Sequence, residues 1–152
     1  MDTPHLAEVT ADNVNAACRL AVAPHQRDYV ASVAESLAEA YVQPAVAWPR
    51  LIYAGGELVG FVMGAFDPNC PIDYFRHGIW RLNIADGHQG KGYGRFAVES
   101  VLAEARHRGA AAATVLWKPG DHSPEPFYLK LGFRPTGQVH QGETVGRLPL
   151  ET

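Results

Sequence analysis

The sequence contains little cysteine and no long apolar run. Its two cysteines, Cys18 and Cys70, are too few for a disulfide scaffold and show no zinc-ligand spacing, so we expect free thiols and no metal site. No stretch approaches the ~18–20 apolar residues that cross a bilayer. The N-terminus also lacks a basic region followed by an apolar one, so we expect a cytoplasmic protein without membrane contact.

Charged residues are scarce as well. They make up 19% of the 152 residues, and the net charge at pH 7 is −3. Proteins that bind nucleic acid normally present a strongly basic face, so we expect no nucleic-acid partner. Apolar residues make up 47% of the chain, which is enough for a folded core. The length fits a single domain over residues 1–152.

Hydrophobic periodicity and turn residues predict elements in the order β-α-α-β-β-β-α-β-α-β-β. Their approximate ranges are 5–9, 11–22, 26–42, 48–54, 57–66, 75–84, 92–108, 110–117, 126–131, 133–139 and 143–150. Thr10 is the expected N-cap of the first helix. Antiparallel strands come first and a strand–helix–strand unit lies in the middle, which indicates a mixed α/β sheet and not a doubly wound one.

Two of these elements carry patterns that bear on function. The apolar stripe of helix 26–42 consists of Val30, Val33, Ala34, Leu37 and Tyr41. Glu35 and Glu39 lie one turn apart on the roughly opposite face, as a solvated surface or, alternatively, as groups that attract a polyamine or relay a proton. Along strand 75–84, the alternating sets are Ile79, Arg81 and Asn83 on one side and Trp80, Leu82 and Ile84 on the other.

The most informative segment is residues 89–95, Gln-Gly-Lys-Gly-Tyr-Gly-Arg, which lies between a predicted strand and a predicted helix. Glycines let backbone N–H groups approach a ligand closely, and a helix N-terminus favours an anion. Lys91 and Arg95 add full positive charges. The segment therefore predicts a phosphate or pyrophosphate ligand.

Two other phosphate-binding loops fit this segment less well. A nucleoside-triphosphate loop requires G-x-x-x-x-G-K-[ST], but Lys91 is followed by Gly92. A dinucleotide fingerprint is nominally present over residues 92–97, yet such loops usually open the first strand–helix unit of a long parallel sheet. Too little chain follows this segment to build that sheet, so the dinucleotide reading is the weaker alternative.

Gln89, Gly92 and Gly94 fit the pattern Q/R-x-x-G-x-G/A, and the sequence resembles the GNAT family of N-acetyltransferases, in which this pattern binds pyrophosphate. Residues 82–84 match the family's L-x-V strand, and residues 127–133 match the second half of its N-x-x-A-x-x-F-Y-x-x-x-G-F segment. The resemblance implies a mostly antiparallel sheet of about seven strands flanked by about four helices. Residues 30–42 and 59–63 are similar to the diamine and spermine/spermidine acetyltransferase branch.

The resemblance also implies an activity. The expected reaction is the direct transfer of an acetyl group from acetyl-CoA to a primary amine of a small molecule, with a polyamine as one candidate. A peptide or protein N-terminus or lysine is the alternative acceptor, and a catalytically inactive acyl-CoA-binding regulator is the alternative outside enzymes. A homodimer is the expected assembly, because twofold dimers are the commonest soluble oligomers.

Family resemblance assigns the cofactor site residue by residue. Asp121 stands where the family has an Asn that contacts the pantetheine arm, Pro124 stands where it has an Ala, and Ser123 is the alternative donor. The cofactor-binding residues that follow are Leu82, Asn83, Ile84, Gln89, Gly90, Lys91, Gly92, Tyr93, Gly94, Arg95, Asp121, Ser123, Phe127 and Tyr128.

Tyr128 matches the family's general-acid tyrosine. A phenol has a reference pKa of about 10 and a thiol about 8.5, so this tyrosine stays protonated at neutral pH and can donate to the departing thiolate. A packing role beside Phe127 and Phe133 is the structural alternative. Glu35, Glu39 and Trp80 are candidate substrate-binding residues, and no residue stands out as the general base.

Overall fold

A seven-stranded sheet forms the centre of the computed structural model, which describes residues 3–150. Its strands are β1 (His5–Ala7), β2 (Ala47–Ala54), β3 (Glu57–Phe66), β4 (His77–Ile84), β5 (Ala112–Trp117), β6 (Arg134–His140) and β7 (Glu143–Pro149). They lie in the order β1-β2-β3-β4-β5-β7-β6, and every pairing is antiparallel except that of β4 with β5. The mixed, mostly antiparallel sheet is therefore confirmed.

The helices cover both faces of this sheet. They are α1 (Val14–Cys18), α2 (Val33–Val42), α3 (Tyr93–His107) and α4 (Glu125–Lys130), with short 3-10 helices at Pro24–Gln26 and Asp73–Phe75. On one face, α1 and α2 pack on a cluster that includes Leu51 and Phe61. On the other, α3 and α4 pack on a larger cluster that includes Ile52 and Val98. The neighbours Leu51 and Ile52 face opposite sides because side chains alternate along a strand.

The first helix is shorter than its pattern predicts. α1 covers Val14–Cys18 and not residues 11–22, and Thr10 is not its N-cap. The Thr10 hydroxyl accepts the N–H of Asp12 at 3.2 Å, while Asn13 occupies the N-cap position and accepts the N–H of Thr10 at 2.7 Å. Short polar side chains thus hold the chain in a turn where the periodicity alone suggested helix.

The second predicted helix, residues 26–42, is also shorter. Pro24–Gln26 form one 3-10 turn, and α2 begins only at Val33. Ser32 caps α2, because its hydroxyl accepts the N–H of Glu35 at 3.1 Å. Residues 27–32 therefore lie outside any helix, and most of them line the cleft described below.

The buried face of α2 differs from the predicted stripe. Val33 is fully buried as expected, but Ala34 is exposed and Tyr41 is 85% exposed. Ser36 is buried in their place, and its hydroxyl donates to the carbonyl of Ser32 at 3.0 Å. A serine can occupy this buried position because the hydrogen bond back to the preceding turn satisfies its hydroxyl.

The two parallel strands pair only briefly. Gly78 with Thr114 and Ile79 with Val115 are the partners that join β4 to β5 within the described residues. A Cβ atom at position 78 would collide with the carbonyl of Thr114, so the close approach of the strands requires glycine there. Beyond these pairs β4 and β5 separate.

A bulge in β4 lies where the strands separate. Met63 pairs with Arg81 and Gly64 pairs with Ile79, so Trp80 is an extra residue with no partner in β3. Trp80 and Arg81 consequently both face α2, and the strict alternation predicted for this strand is wrong. The side chains that face α3 are Ile79, Leu82 and Ile84.

Candidate functional site

A cleft of about 1240 Å³ opens between the separated ends of β4 and β5. Its walls are β4, the loop before α3, the end of β5, α4 and the segment between α1 and α2. Because it runs between two strands of one sheet, the cleft is lined by residues from both faces of the molecule.

The glycine-rich loop leads into the first turn of α3. Gly90 and Gly92 have positive φ angles of 73° and 86°, and Gly92 is the N-cap residue in left-handed conformation. No atom lies within 4 Å of a Cβ built at either position, so the backbone conformation, not crowding, favours glycine. The first turn of α3 contains no acidic residue, and its first N–H groups have no acceptor within the helix. This end of the cleft is therefore suited to an anion.

At position 94, close packing favours glycine. A Cβ built there would lie 3.2 Å from the ring of Phe127, which belongs to α4. The ring of Phe127 thus rests on the start of α3 and brings the two helices together along the cleft. A larger residue at position 94 would push them apart.

Most of the residues assigned from the sequence line this one cleft. They are Glu35, Trp80, Leu82, Ile84, Gln89, Gly90, Gly92, Tyr93, Gly94, Arg95, Ser123, Phe127 and Tyr128. The others lie outside its lining: Asn83, Lys91, Asp121 and Glu39. Sequence positions more than 90 residues apart, such as Glu35 and Tyr128, are brought together.

Asn83 and Asp121 are not among the residues that line the cleft. Asn83 is buried toward α2, where its side-chain amide donates to the carbonyl of Ala31 at 3.0 Å. Asp121 is exposed in the loop between β5 and α4. Ser123, two residues later, does line the cleft, and its hydroxyl oxygen accepts the N–H of Glu125 at 3.2 Å. The hydroxyl hydrogen of Ser123 remains available to a ligand.

Tyr128 is held in a cluster of aromatic rings. Its ring stacks on Trp117 and meets the edges of Phe127 and Phe133, with centroid distances of 5.6, 5.0 and 5.7 Å. The residue is 5% exposed, and within the described part of the chain its hydroxyl makes no hydrogen bond. Burial raises the pKa of Tyr128, so the hydroxyl stays protonated.

The two glutamates of α2 have different surroundings. Glu39 accepts a hydrogen bond from the Arg81 guanidinium at 2.8 Å, so the interpretation of this carboxylate as a merely solvated group is wrong. Glu35, one turn earlier, is exposed, lines the cleft and forms no ion pair among residues 3–150. The Arg81 guanidinium carbon also lies 5.8 Å from the centre of the Trp80 ring.

The sequence did not predict that residues 21–31 would form part of the cleft. This segment, here called the strap, joins α1 to α2 and contributes His25, Gln26 and Tyr29 to the cleft lining. The signal that reveals it is Pro24, because proline at this position begins a short 3-10 turn ahead of the real helix. The contacts of the strap cannot be predicted from the sequence, because they depend on the packing of loops that are distant along the chain.

Two further properties concern residues 3–150. They contain no helix long and apolar enough to cross a membrane. They also contain no group of three or more histidine, cysteine or acidic residues placed to hold a metal ion.

Comparison with known proteins identifies a family by sequence and similar solved structures by fold. The profile of the Acetyltransferase (GNAT) family matches residues 15–133. An acetyltransferase from Thermus thermophilus is 22% identical, with a TM-score of 0.70 over 99% of this chain and 100% of that one. The ribosomal-protein-S18-alanine N-acetyltransferase from Escherichia coli is 16% identical, with a TM-score of 0.69 over 99% and 96%.

A third related structure contains a cofactor. It is the PaiA N-acetyltransferase from Thermoplasma acidophilum in complex with coenzyme A, which is 11% identical with a TM-score of 0.69 over 97% of this chain and 99% of that one. At such identities the likeness shows a shared fold. No curated protein matches the sequence.

Proposed function

The chain belongs to the GNAT family of acetyltransferases, and on that premise we propose that it transfers an acetyl group from acetyl-CoA directly to a primary amine of a small molecule. One observation carries the proposal: the glycine loop at the start of α3 and Tyr128 of α4 line the same cleft between β4 and β5. A phosphate-binding end and a proton donor are therefore present in one cleft. A related structure with bound coenzyme A supports the choice of cofactor.

The backbone N–H groups of residues 90–95 would hold the pyrophosphate of coenzyme A. These groups lie at the start of a 15-residue helix, whose dipole favours negative charge. Arg95 lines the cleft beside them, although its guanidinium also pairs with Glu99 at 2.7 Å. Lys91 lies outside the cleft lining and adds charge only at longer range.

The free edge of β4 would hold the pantetheine arm of coenzyme A, as an added strand would be held. Within the described residues β4 pairs with β5 only at Gly78 and Ile79, so the backbone from Leu82 to Ile84 has no strand beside it on the cleft side. Amide groups of the arm can bond to that free edge. Ser123 on the opposite wall offers a hydroxyl hydrogen, in place of the missing Asn.

Tyr128 is the proposed general acid. The amine nitrogen attacks the thioester carbonyl, the carbon–sulfur bond breaks, and the departing thiolate takes the proton of the Tyr128 hydroxyl. The amine loses one proton to water before it attacks and a second as the amide forms, and Tyr128 regains a proton from water, which restores its hydroxyl for the next cycle. Burial raises the pKa of Tyr128, so its hydroxyl carries a proton when the thiolate departs.

The acceptor amine approaches from the α2 side of the cleft. Glu35 of α2 is a carboxylate that lines the cleft without an ion-pair partner in the described chain, and the Trp80 ring lies on the same side of β4. A carboxylate and an aromatic ring that line one side of a cleft can each attract an ammonium group. A polyamine is therefore the acceptor class that we put first.

A thiol-release assay with acetyl-CoA and a panel of amines tests the proposal. The panel contains diamines, polyamines, amino acids and peptides with free N-termini, and we expect release above background hydrolysis with a small amine. Release only with peptides would favour the alternative acceptor. Binding of coenzyme A by calorimetry with no release for any amine would identify a regulator and overturn the proposed activity.

A further inference from the structure

The strap, residues 21–31, bridges the two walls of the cleft. On the β4 side, the N–H of Asp86 donates to the carbonyl of Ala21 at 2.8 Å. On the β5 side, Lys118 donates through its ammonium group to the carbonyl of Asp28 at 2.8 Å. The strap is therefore tied to both strands that separate to form the cleft.

Near the middle of the strap, Gln26 and Gln89 form a reciprocal amide pair. The Gln89 amide donates to the Gln26 carbonyl oxygen at 3.0 Å, and the Gln26 amide donates back at 3.3 Å. Gln89 also donates to the backbone carbonyl of Ile84 at 2.9 Å. Both of its amide hydrogens and its carbonyl oxygen are thus engaged. The first residue of the pyrophosphate pattern is fixed between the strap and the end of β4.

Few apolar contacts hold the strap. Val22 and Ala23 are buried, but the next five residues, 24–28, are exposed or only partly buried. None of residues 24–31 belongs to either hydrophobic cluster. A segment held mainly by polar contacts at the surface opens more readily than one anchored in a core. Polar ties therefore hold most of the strap, and the Gln26–Gln89 pair is the tie that reaches the glycine loop.

From these contacts we infer that Gln26 is a positioning residue that couples the strap to the cofactor loop. The inference rests on the proposed function, since it takes coenzyme A as the ligand of residues 90–95. A pyrophosphate on these residues holds the loop, the loop holds Gln89, and Gln89 holds Gln26. Cofactor binding thus keeps the strap closed along the acceptor side of the cleft. By linkage, a closed strap also favours cofactor binding.

The test measures the strap directly and needs no acceptor. Amide hydrogen exchange of residues 21–31 is followed with and without free coenzyme A, and the affinity for coenzyme A is measured by calorimetry. In the wild-type protein we expect coenzyme A to slow exchange in the strap. In Gln26→Ala we expect that protection to disappear and the affinity to fall by about three- to tenfold, the effect of losing one or two exposed hydrogen bonds.

Two further variants separate coupling from general damage. Gln43→Ala removes an exposed glutamine just after α2, and we expect wild-type affinity and strap protection. The double variant Gln26→Glu with Gln89→Arg replaces the amide pair by an ion pair, and we expect it to restore strap protection. Equal affinity and equal protection in wild type and Gln26→Ala would overturn the inference. Failure of the wild-type protein to bind coenzyme A would instead overturn the proposed function from which it starts.

Discussion

The ring of Tyr128 stacks on the indole of Trp117, with 5.6 Å between centroids and only 10° between the ring planes. The indole N–H of Trp117 in turn donates to the carboxylate of Glu125 at 2.8 Å, in the first turn of the helix that carries Tyr128. The stack and the hydrogen bond form a closed link between β5 and α4. The position of the phenol is therefore set by the strand as well as by its own helix.

Tyr128→Phe separates catalysis from packing. The ring stays in its stack, and the lost hydroxyl makes no hydrogen bond within residues 3–150, so the melting temperature should change little. If the hydroxyl protonates the thiolate, turnover falls by ~10²–10⁴-fold while the affinity for coenzyme A is kept. Steady-state kinetics with an accepted amine, calorimetry and thermal melts measure the three quantities. Turnover near the wild-type value would mean that water or another group protonates the departing thiolate.

Gly92→Val tests the glycine loop, with Gly109→Val as its matched control. Both glycines have left-handed φ angles, 86° and 82°, and both face open space, so each valine costs about 1–2 kcal/mol of backbone strain. Only Gly92 begins the helix that faces the cleft; Gly109 follows its far end. We expect both variants to lose similar stability and only Gly92→Val to lose affinity for coenzyme A. If calorimetry shows that the two variants bind coenzyme A with equal affinity, the glycine loop does not bind the cofactor.

Glu35→Gln and Glu39→Gln form a second matched pair on α2. Glu35 lines the cleft, so its neutral variant should raise the KM for a cationic amine about tenfold and leave the melting temperature unchanged. Glu39 pairs with Arg81, so its variant should instead cost ~1 kcal/mol of unfolding free energy. Kinetics and urea titrations on both proteins check this division. An unchanged KM in Glu35→Gln would exclude this carboxylate from acceptor binding.

Gly78→Ala tests the short parallel pairing. Its new methyl group would collide with the backbone carbonyl of Thr114, which cannot move without breaking the β4–β5 contact. Gly56→Ala is the control, because its site has a positive φ of 79° but open space around it. We expect a loss of several kcal/mol at position 78 and about 1 kcal/mol at position 56, measured by urea unfolding. Equal losses would show that the strands can separate further without penalty.

His77 makes part of the stability depend on pH. Its pKa is lowered first by burial and then by the positive charges of Arg108 and Arg76. Below the ordinary value of 6.5 the unfolded chain therefore binds a proton more readily than the folded one. The stability that the folded protein gains while His77 is neutral is fully present above pH 6.5. It is lost as the pH falls from there toward the pKa of His77 in the folded state. NMR titration should find the pKa of His77 below 6.5, and Arg108→Met should raise it; a pKa of 6.5 or more in the wild type would contradict this assignment.

The sequence predicted the β2–β3 hairpin and the third helix closely, because the patterns there are local. Gly55 and Gly56 lie between two apolar runs, and both have the positive φ angles that a tight hairpin turn needs. The buried residues of α3 repeat at helical spacing and Gly109 ends the helix, as predicted. A backbone conformation can be predicted from the sequence where only one residue type adopts it easily, as glycine does at a positive φ angle.

The parts that were missed depend on contacts between distant segments. Nothing near Glu39 in the sequence indicates that Arg81 will reach it, since that contact requires the bulge at Trp80. The end of the second helix was predicted well, but its start was not, because the Ser32 cap competes with an apolar pattern that continues upstream. The bulge in β4 could not be predicted, because both faces of that strand carry large side chains and the pattern of residue types gives no sign of an extra residue.

The extra residue at position 80 has a consequence for how such a site can arise. Were Trp80 deleted, Ile79, Arg81, Leu82, Asn83 and Ile84 would alternate without interruption, with all three apolar residues on the α3 side. A β4 of that kind could stay paired with β5 along its whole length, and backbone hydrogen bonds would fill the space that the cleft now occupies. The site thus depends on the length of the chain as well as on its residue types. Insertions and deletions in this strand, more than point substitutions, are the genetic events that would open or abolish it.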